Sequence, residues 1–434
     1  MLNRRGLVGA AVTMAAGAAM AKVPAGAKAF PPGFLWGAAT AAHQIEGNNV
    51  NSDCWFLENI KPTIFAQPSG DAANSFALWP TDLDLVRGLG LNSYRFSLEW
   101  ARIEPEDGLF SVAMLDHYKA MIEGCRARGI TPVVTFNHYT TPRWFAAQGG
   151  WTNPKSPKLF ARFCDRAARH LAAGIGMATT LNEPDLFKMF PVIAPPGMMN
   201  LFAPMLAAAA RATGSAKFSA GNAILPEDID LVTANLVAGH KAGRDAIKSV
   251  RGDLPVGVSL ALPYDEAQGP NSLRDQMRQR MYEPWLDAVR GDDFLGVQNY
   301  ERQVWDSKGR LPTPPGVPVN FLGGEVYPPS LAGAVTYAHQ ATGVPILVTE
   351  HGVCTDDDTI RANFVPAALR ELHAAIDKGV PVKGYIHWSL IDNFEWFLGY
   401  RVHYGLHTLD PVTFRRTPKP SAAVYSAIAR ANAV

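Results

Sequence analysis

Cysteine is scarce in this chain. Four occur in 434 residues, Cys54, Cys125, Cys164 and Cys354, with no C-x-x-C pair and no metal-ligand spacing. They read as plain buried thiols, because a free cysteine packs as a small hydrophobe. An excess of charge of one sign is also lacking. Forty Lys and Arg stand against 39 Asp and Glu, a formal net charge of +1, so there is no general field to draw nucleic acid or an anionic membrane. Charged residues make up only 18% of the chain and hydrophobic ones 47%, a balance that excludes disorder. No glycine-rich phosphate loop opens a helix, and no short-period repeat interrupts the body. Asp356-Asp357-Asp358 is not followed by spaced calcium ligands and reads as a solvated turn. His43, His387, His403 and His407 fit no ligand motif and read as core or rim groups. No metal and no organic cofactor is expected.

The N-terminus has its own grammar. Asn3-Arg4-Arg5-Gly6-Leu7-Val8 is followed by an apolar run, Ala10 to Met20, too short and too rich in Ala and Gly to span a bilayer stably. Ala19-Met20-Ala21 and Ala27-Lys28-Ala29 both have the form of a signal-peptidase site. Residues 1–29 therefore read as a twin-arginine-type signal, which implies export, to the periplasm of a bacterium, and no membrane attachment after processing. Residues 30–434 read as one catalytic domain.

From Phe34 onward, short β-like runs alternate with amphipathic helical stretches. The runs are Phe34–Ala41, Ser93–Trp100, Thr131–His138, Met177–Pro184, Pro255–Leu262, Phe294–Tyr300, Pro345–Gly352 and Val382–Leu390. Most are continuously apolar, the mark of strands covered on both faces. The helical stretches are Thr81–Leu89, Met114–Arg128, Pro157–Ala172, Asp228–Val250, Ser272–Val289, Ser330–Thr342, Ile360–Lys378 and Pro420–Ala431. Gly129, Gly343 and Gly379 close helices as left-handed caps. Eight such repeats predict an α/β fold, a single (β/α)₈ TIM barrel. Two loops are long: Asp185–Pro226 after the fourth strand, and Glu301–Pro329 after the sixth. Met198, Met199 and Met205 in the first of these either pack an inserted helix or wall a leaving-group site.

Polar residues gather at the C-terminal ends of the strands, where barrel active sites are built. His138 closes the third, Asn182-Glu183 the fourth, Tyr300 the sixth and Glu350 the seventh, with Trp388 near the end of the eighth. Carboxylates on strands four and seven face each other across a barrel mouth. Such a pair suits cleavage of a glycosidic bond, one protonating the leaving oxygen while the other, ionised, attacks or stabilises the sugar cation. Arg95 on the second strand is the candidate cation that keeps one of them ionised.

These residues also carry a resemblance. Phe34-Leu35-Trp36-Gly37-Ala38-Ala39-Thr40-Ala41 with Gln44-Ile45-Glu46-Gly47, Tyr94-Arg95-Phe96-Ser97-Leu98-Glu99-Trp100, Asn137-His138, Gly149-Gly150-Trp151, Thr180-Leu181-Asn182-Glu183-Pro184, Val348-Thr349-Glu350-His351-Gly352, and Trp388-Ser389-Leu390-Ile391-Asp392-Asn393-Phe394-Glu395-Trp396 stand in that order. From about Phe30 to the C-terminus the chain resembles family 1 of the glycoside hydrolases, the β-glucosidase type. The resemblance implies that Glu183 is the acid/base and Glu350 the nucleophile. It implies that Gln44, His138, Asn182, Glu395 and Trp396 bind sugar hydroxyls, that Trp388 is the platform under the ring, and that Arg95 and Tyr300 hold and tune the nucleophile, Tyr300 also lining the substrate site. The implied substrate is a small or oligomeric β-glycoside. Glu183 in place of the Gln of thioglycoside-cleaving members points to O-glycosides, and Glu395 would repel a 6-phosphate. Three departures touch this frame. His351 stands where the family has Asn, Gln298 where it has the Asn of Asn-Tyr-Tyr, and Tyr139 where it has the Trp of His-Trp. The same residues leave open a β-galactosidase, β-fucosidase or transglycosylating relative, and a catalytically idle sugar-binding protein.

Overall fold

In the computed structural model, which describes residues 26–194 and 197–434, the eight apolar runs form eight parallel strands: β1 Leu35–Ala39, β2 Ser93–Ser97, β3 Thr131–Asn137, β4 Met177–Asn182, β5 Val256–Ala261, β6 Phe294–Asn299, β7 Ile346–His351 and β8 Val382–Trp388. Each pairs with its sequence neighbours, and β8 pairs with β1, so the sheet closes into a barrel. β2, β4, β5, β6 and β7 are buried along their whole length. The interior of the barrel covers one face of each strand and the helices cover the other, which is why these runs do not alternate. The expected runs overreach the strands by one to three residues in all, by one at Phe34, Pro255 and Pro345 and otherwise at the C-terminal end, where the chain turns into the loops of the barrel mouth.

The expected helices Ser330–Thr342 and Pro420–Ala431 lie where the pattern put them. Gly129, Gly343 and Gly379 take left-handed φ values of 71°, 74° and 95°, as capping requires. Two helices differ from expectation. The first begins at Ser75 rather than Thr81, with Pro80 inside it; a proline in the second turn removes one hydrogen bond without ending the helix. The stretch Ser272–Val289 is broken into Arg274–Tyr282 and Trp285–Ala288. Pro284 has no N–H to donate and holds Glu283 extended (ψ 138°).

The long loops are structured. Asp185–Pro226 carries two helices, Leu186–Ile193 and Phe202–Thr213, and Met205 is fully buried in an apolar cluster with Phe202, Phe218 and Phe394. The loop after β6 carries a strand, Arg302–Trp305, which pairs in parallel with Tyr264–Ala267 from the loop after β5. Arg302 fastens it, with bonds to Glu325 (2.7 Å) and Glu266 (2.8 Å). Asp356 and Asp357 are exposed ahead of a helix, as a solvated turn requires, and the run also has local partners. Asp357 caps the helix Asp358–Asp377, and Asp358 pairs with Arg361 and Ser421.

Residues 1–25 of the expected signal lie outside the described residues. The end of that segment is tied to the body. Lys28 exchanges backbone hydrogen bonds with Val434 (2.9 and 3.0 Å), and the Ala29 carbonyl lies 2.9 Å from His373 Nε2.

Candidate active site

Strand ends β2, β4, β6 and β7 converge on one carboxylate. Arg95, fully buried on β2, donates from one guanidinium nitrogen to Glu350 Oε1 (2.5 Å) and from the other to Asn182 Oδ1 (2.6 Å). Gln298, the register partner of Glu350 on β6, donates Nε2 to the same two oxygens, at 2.9 and 2.8 Å. Tyr300, just past β6, donates its hydroxyl to Glu350 Oε2 (2.6 Å). Glu350 thus accepts three charged or neutral donors, and Asn182 is oriented by two, which leaves its buried Nδ2 without a protein partner.

Glu183 follows β4 in a left-handed conformation (φ 42°), its amide bonded to Ser259 O (2.8 Å). Its side chain accepts one hydrogen bond, from the Tyr139 hydroxyl to Oε2. The two carboxylates are therefore treated differently. Burial pushes both upward. Glu183 is held well above the ordinary carboxylate range by burial and then by the charge of Glu350. On Glu350 burial is opposed by Arg95, Tyr300 and Gln298, which hold it the lower of the two. This separation assigns a proton to Glu183 and a charge to Glu350 over the same pH range.

Beside this pair lies a polar and aromatic wall. Gln44 donates to Phe394 O (2.7 Å), Asn393 Oδ1 (3.0 Å) and Glu395 Oε2 (3.3 Å), leaving its Oε1 without a protein partner. Glu395 also accepts from the Trp388 indole (3.2 Å); burial raises its carboxyl to about 8. His138 lies nearly parallel to Trp388 (5.8 Å, 21°) and Trp396 (6.0 Å, 11°). Burial keeps its imidazole neutral, so it presents one donor and one acceptor. Behind Trp396, His43 stacks at 5.8 Å and 9°. Its Nε2 meets Glu58 (2.7 Å) and its Nδ1 meets Asn49 (3.1 Å), so both ring nitrogens are engaged in fixing that indole. Cys54, whose Sγ lies 3.6 Å from Glu58, belongs to the same knot; all four cysteines are buried and free.

Gln44, His138, Tyr139, Glu183, Leu186, Tyr300, Glu350, Trp388, Glu395, Trp396 and Tyr404 enclose a cavity of about 190 Å³. Every site residue expected from the sequence lies on this wall except Arg95 and Asn182, which stand directly behind it. Tyr139, Leu186 and Tyr404 were not expected there. Tyr139 was visible only as a departure beside His138, and Leu186 only by its closeness to Glu183. Tyr404 gave no signal, since it arrives on an irregular loop after β8. His351 departs from the family pattern without entering the cavity. One residue past Glu350 the strand period turns it outward, against Phe364 (5.0 Å, 19°) and 2.9 Å from the Tyr385 hydroxyl. Gln298 does reach the site. A wider cavity, about 480 Å³, lies elsewhere. Its charges are already paired, Lys419 with Asp392 at 2.8 Å and His403 with Asp356 at 2.7 Å.

Arg95 offers a direct check on the electrostatics. Arg95→Leu leaves a buried carboxylate without its cation, a change that costs about 3–5 kcal/mol unless the group protonates. The acid limb of the activity profile should move up by a unit or more, so activity is lost at a higher pH as the solution is acidified. An unmoved acid limb would separate Arg95 from the ionisation of Glu350.

A parallel barrel whose mouth holds two unequally tuned carboxylates beside amide, imidazole and indole groups is that of a glycoside hydrolase. The sequence profile of glycosyl hydrolase family 1 matches residues 26–224 and 315–434. The chain belongs to that family. A β-glucosidase of Agrobacterium sp. is 29% identical over 462 residues, covering 92% of this chain and 95% of its own. A β-galactosidase of Pyrococcus woesei is 26% identical, covering 93% and 98%. Among solved structures, β-glycosidase BGL167 is 45% identical with a TM-score of 0.86, covering 92% and 97%. The apo structure of β-glucosidase 1317 is 40% identical with a TM-score of 0.88, covering 92% and 98%. The stretch 225–314, which the profile does not match, holds β5 and β6, and with them Gln298.

Proposed function

We propose that the chain is a retaining β-glycosidase that releases terminal, non-reducing β-D-glucosyl residues from O-glucosides. The observation that carries this reading is the unequal setting of the carboxylates: Glu350 under Arg95, Gln298 and Tyr300, and Glu183 under Tyr139 alone. Glu350 attacks the anomeric carbon while Glu183 gives its proton to the leaving oxygen. Glu183 then takes a proton from water, which breaks the glycosyl ester with a second inversion. The free Asn182 Nδ2 is placed to hold the sugar 2-oxygen, a contact that strengthens as charge develops on the ring. Gln44, His138, Glu395 and Trp396 receive the remaining hydroxyls, and Trp388 lies under the C–H face. A neutral sugar suits Glu395, a buried carboxyl raised to about 8 with no cation beside it among the described residues to receive a phosphate.

The test is trapping with an activated 2-deoxy-2-fluoro-β-glucoside, followed by intact mass and peptide mapping. One fluoroglucosyl group on the Glu350 peptide is expected. An adduct only with the galacto analogue would move the preference to the axial 4-hydroxyl, as in the Pyrococcus woesei relative. No adduct with either, on folded protein, would favour an idle sugar binder.

The arginine pair and apolar run at the N-terminus support export through a twin-arginine route to a periplasm. The ties of Lys28 and Ala29 to Val434 and His373 favour cleavage after Ala21 over cleavage after Ala29. N-terminal sequencing of the exported protein should begin at Lys22; a start at Phe30 would reverse that choice, and an uncleaved chain would remove the signal.

A further inference from the structure

Among the described residues, nine non-glycine residues have positive φ, and three of them, Tyr139 (65°), Glu183 (42°) and Trp396 (50°), line the one small cavity that holds the carboxylates. Side chains seldom adopt this backbone without something that holds them there, and such outliers gather at functional sites. The segment after β3 is held from both sides. Asn137 Nδ2 donates to Thr140 O (2.7 Å), and Thr140 Oγ1 donates to Glu99 (2.8 Å). The Thr141 amide and hydroxyl both bond Asp53 (2.9 and 2.8 Å), which also accepts from the Gly221 amide (2.7 Å). The Tyr139 carbonyl lies so close over Gly221 that a Cβ there would fall 1.7 Å from it. The ring is caged edge-on by Trp396 (5.1 Å, 87°) and His138 (5.2 Å, 88°). Every one of these contacts fixes where the phenol oxygen goes, and it goes to Glu183 Oε2.

We infer that Tyr139 is a positioning residue for the acid/base: its hydroxyl holds Glu183 in one rotamer and favours the ionised carboxylate that must accept a proton from water in the second step. A hydroxyl donating to a carboxylate stabilises the charged form; burial and the charges of Glu350 and Asp185 act against that form and the charge of Arg95 acts for it, and among the described residues Tyr139 is the one side-chain hydrogen-bond donor to this group. The indole of the family pattern would carry an N–H donor but no phenol, and a phenyl ring filling the same cage would carry no donor at all. The chain therefore sets a phenol against its acid/base where the family pattern has an indole, and the phenol extends deglycosylation to lower pH than the same carboxyl would allow without it. The inference rests on the retaining reading above.

The experiment isolates Glu183. In the trapped fluoroglycosyl enzyme Glu350 is an ester and carries no charge, and the buried carboxyls of Glu395 and Asp185, each raised to about 8, are common to wild type and variants, so a shift between their reactivation curves reports the acid/base. Tyr139→Phe, which keeps the ring in its cage, should raise the midpoint of that curve by about one unit and slow reactivation near pH 5 by about tenfold. Replacement of Tyr139 by 3-fluorotyrosine, a more acidic phenol of nearly the same shape, should lower it. A midpoint that stays within 0.2 units in both variants, on wild type that traps and reactivates normally, would overturn the role of Tyr139 and leave the retaining reading intact. Wild type that traps with neither the gluco nor the galacto reagent would overturn both.

Discussion

Glu350→Ala is expected to abolish hydrolysis, with kcat falling on the order of 10⁵-fold, the size of loss seen when an enzyme loses its nucleophile. That corresponds to about 7 kcal/mol of transition-state stabilisation. The structure explains why so little would remain. Arg95, Gln298 and Tyr300 all donate to this one carboxylate, and without it three buried donors face one another across an empty space. That space admits a small anion. Azide or formate should bind where the carboxylate was, attack the sugar from the same side and yield the product of a single inversion, an α-glycosyl azide in the case of azide. Product configuration by NMR is the deciding measurement. Full activity without an added anion would remove Glu350 from the role of nucleophile. A β-configured azide product would move that role to another group.

Loss of Glu183 should look different because it serves two steps. In Glu183→Ala, glycosides with poor leaving groups should lose about 10³- to 10⁴-fold in kcat/KM, the upper range of general acid catalysis. A dinitrophenyl glycoside needs no proton on departure, so its first step should be nearly unimpaired. Its second step lacks a base, the glycosyl ester accumulates, and kcat and KM fall together. Azide then attacks the ester in place of activated water and gives a β-glycosyl azide. The two alanine variants thus release azides of opposite configuration from one substrate. A Glu183→Ala enzyme equally impaired on alkyl and dinitrophenyl glycosides would exclude Glu183 as the proton donor. The same carboxyl bears on stability. Its folded-state pKa lies above the unfolded value, so the folded protein is favoured while the group stays protonated and loses stability as pH rises through that interval. Glu183→Gln should therefore melt above wild type, by a margin that widens from pH 5 to pH 8. A margin that narrows would contradict the upward shift.

The barrel was legible in the chain because its cause is local. A strand covered on both faces must be apolar at consecutive positions, and Ile346-Leu347-Val348 or Phe294-Leu295-Gly296-Val297 show this without reference to any partner. The helix ends at Gly129, Gly343 and Gly379 are legible for the same reason, since a left-handed cap favours a residue without a Cβ. Where a local rule yields to its surroundings, the reading slipped. Pro80 is absorbed into a helix anchored by the bond from Ser75 to Asp82 (2.6 Å) and by Arg416, whereas Pro284 divides one. The strand Arg302–Trp305 could not be seen, because its partner strand, Tyr264–Ala267, lies on another loop.

The candidate site divides along the same line. The sequence alone determined which groups stand at strand ends, and so placed Glu183, Glu350, His138 and Trp388 at one mouth, since the direction of a parallel barrel brings all such ends to one face. Only the tertiary structure decided how these groups are tuned. That Arg95 spans Glu350 and Asn182, that Gln298 shares both acceptors, and that His351 turns away against Phe364 depend on register and strand period across neighbours far apart in the chain. The contact of Tyr139 with Glu183 depends on Gly221, Glu99 and Asp53 together. Residue type and order specify the chemistry available to a site, but the proton balance between two buried carboxylates is set over distances of a few ångströms, and those distances exist only once the barrel has closed.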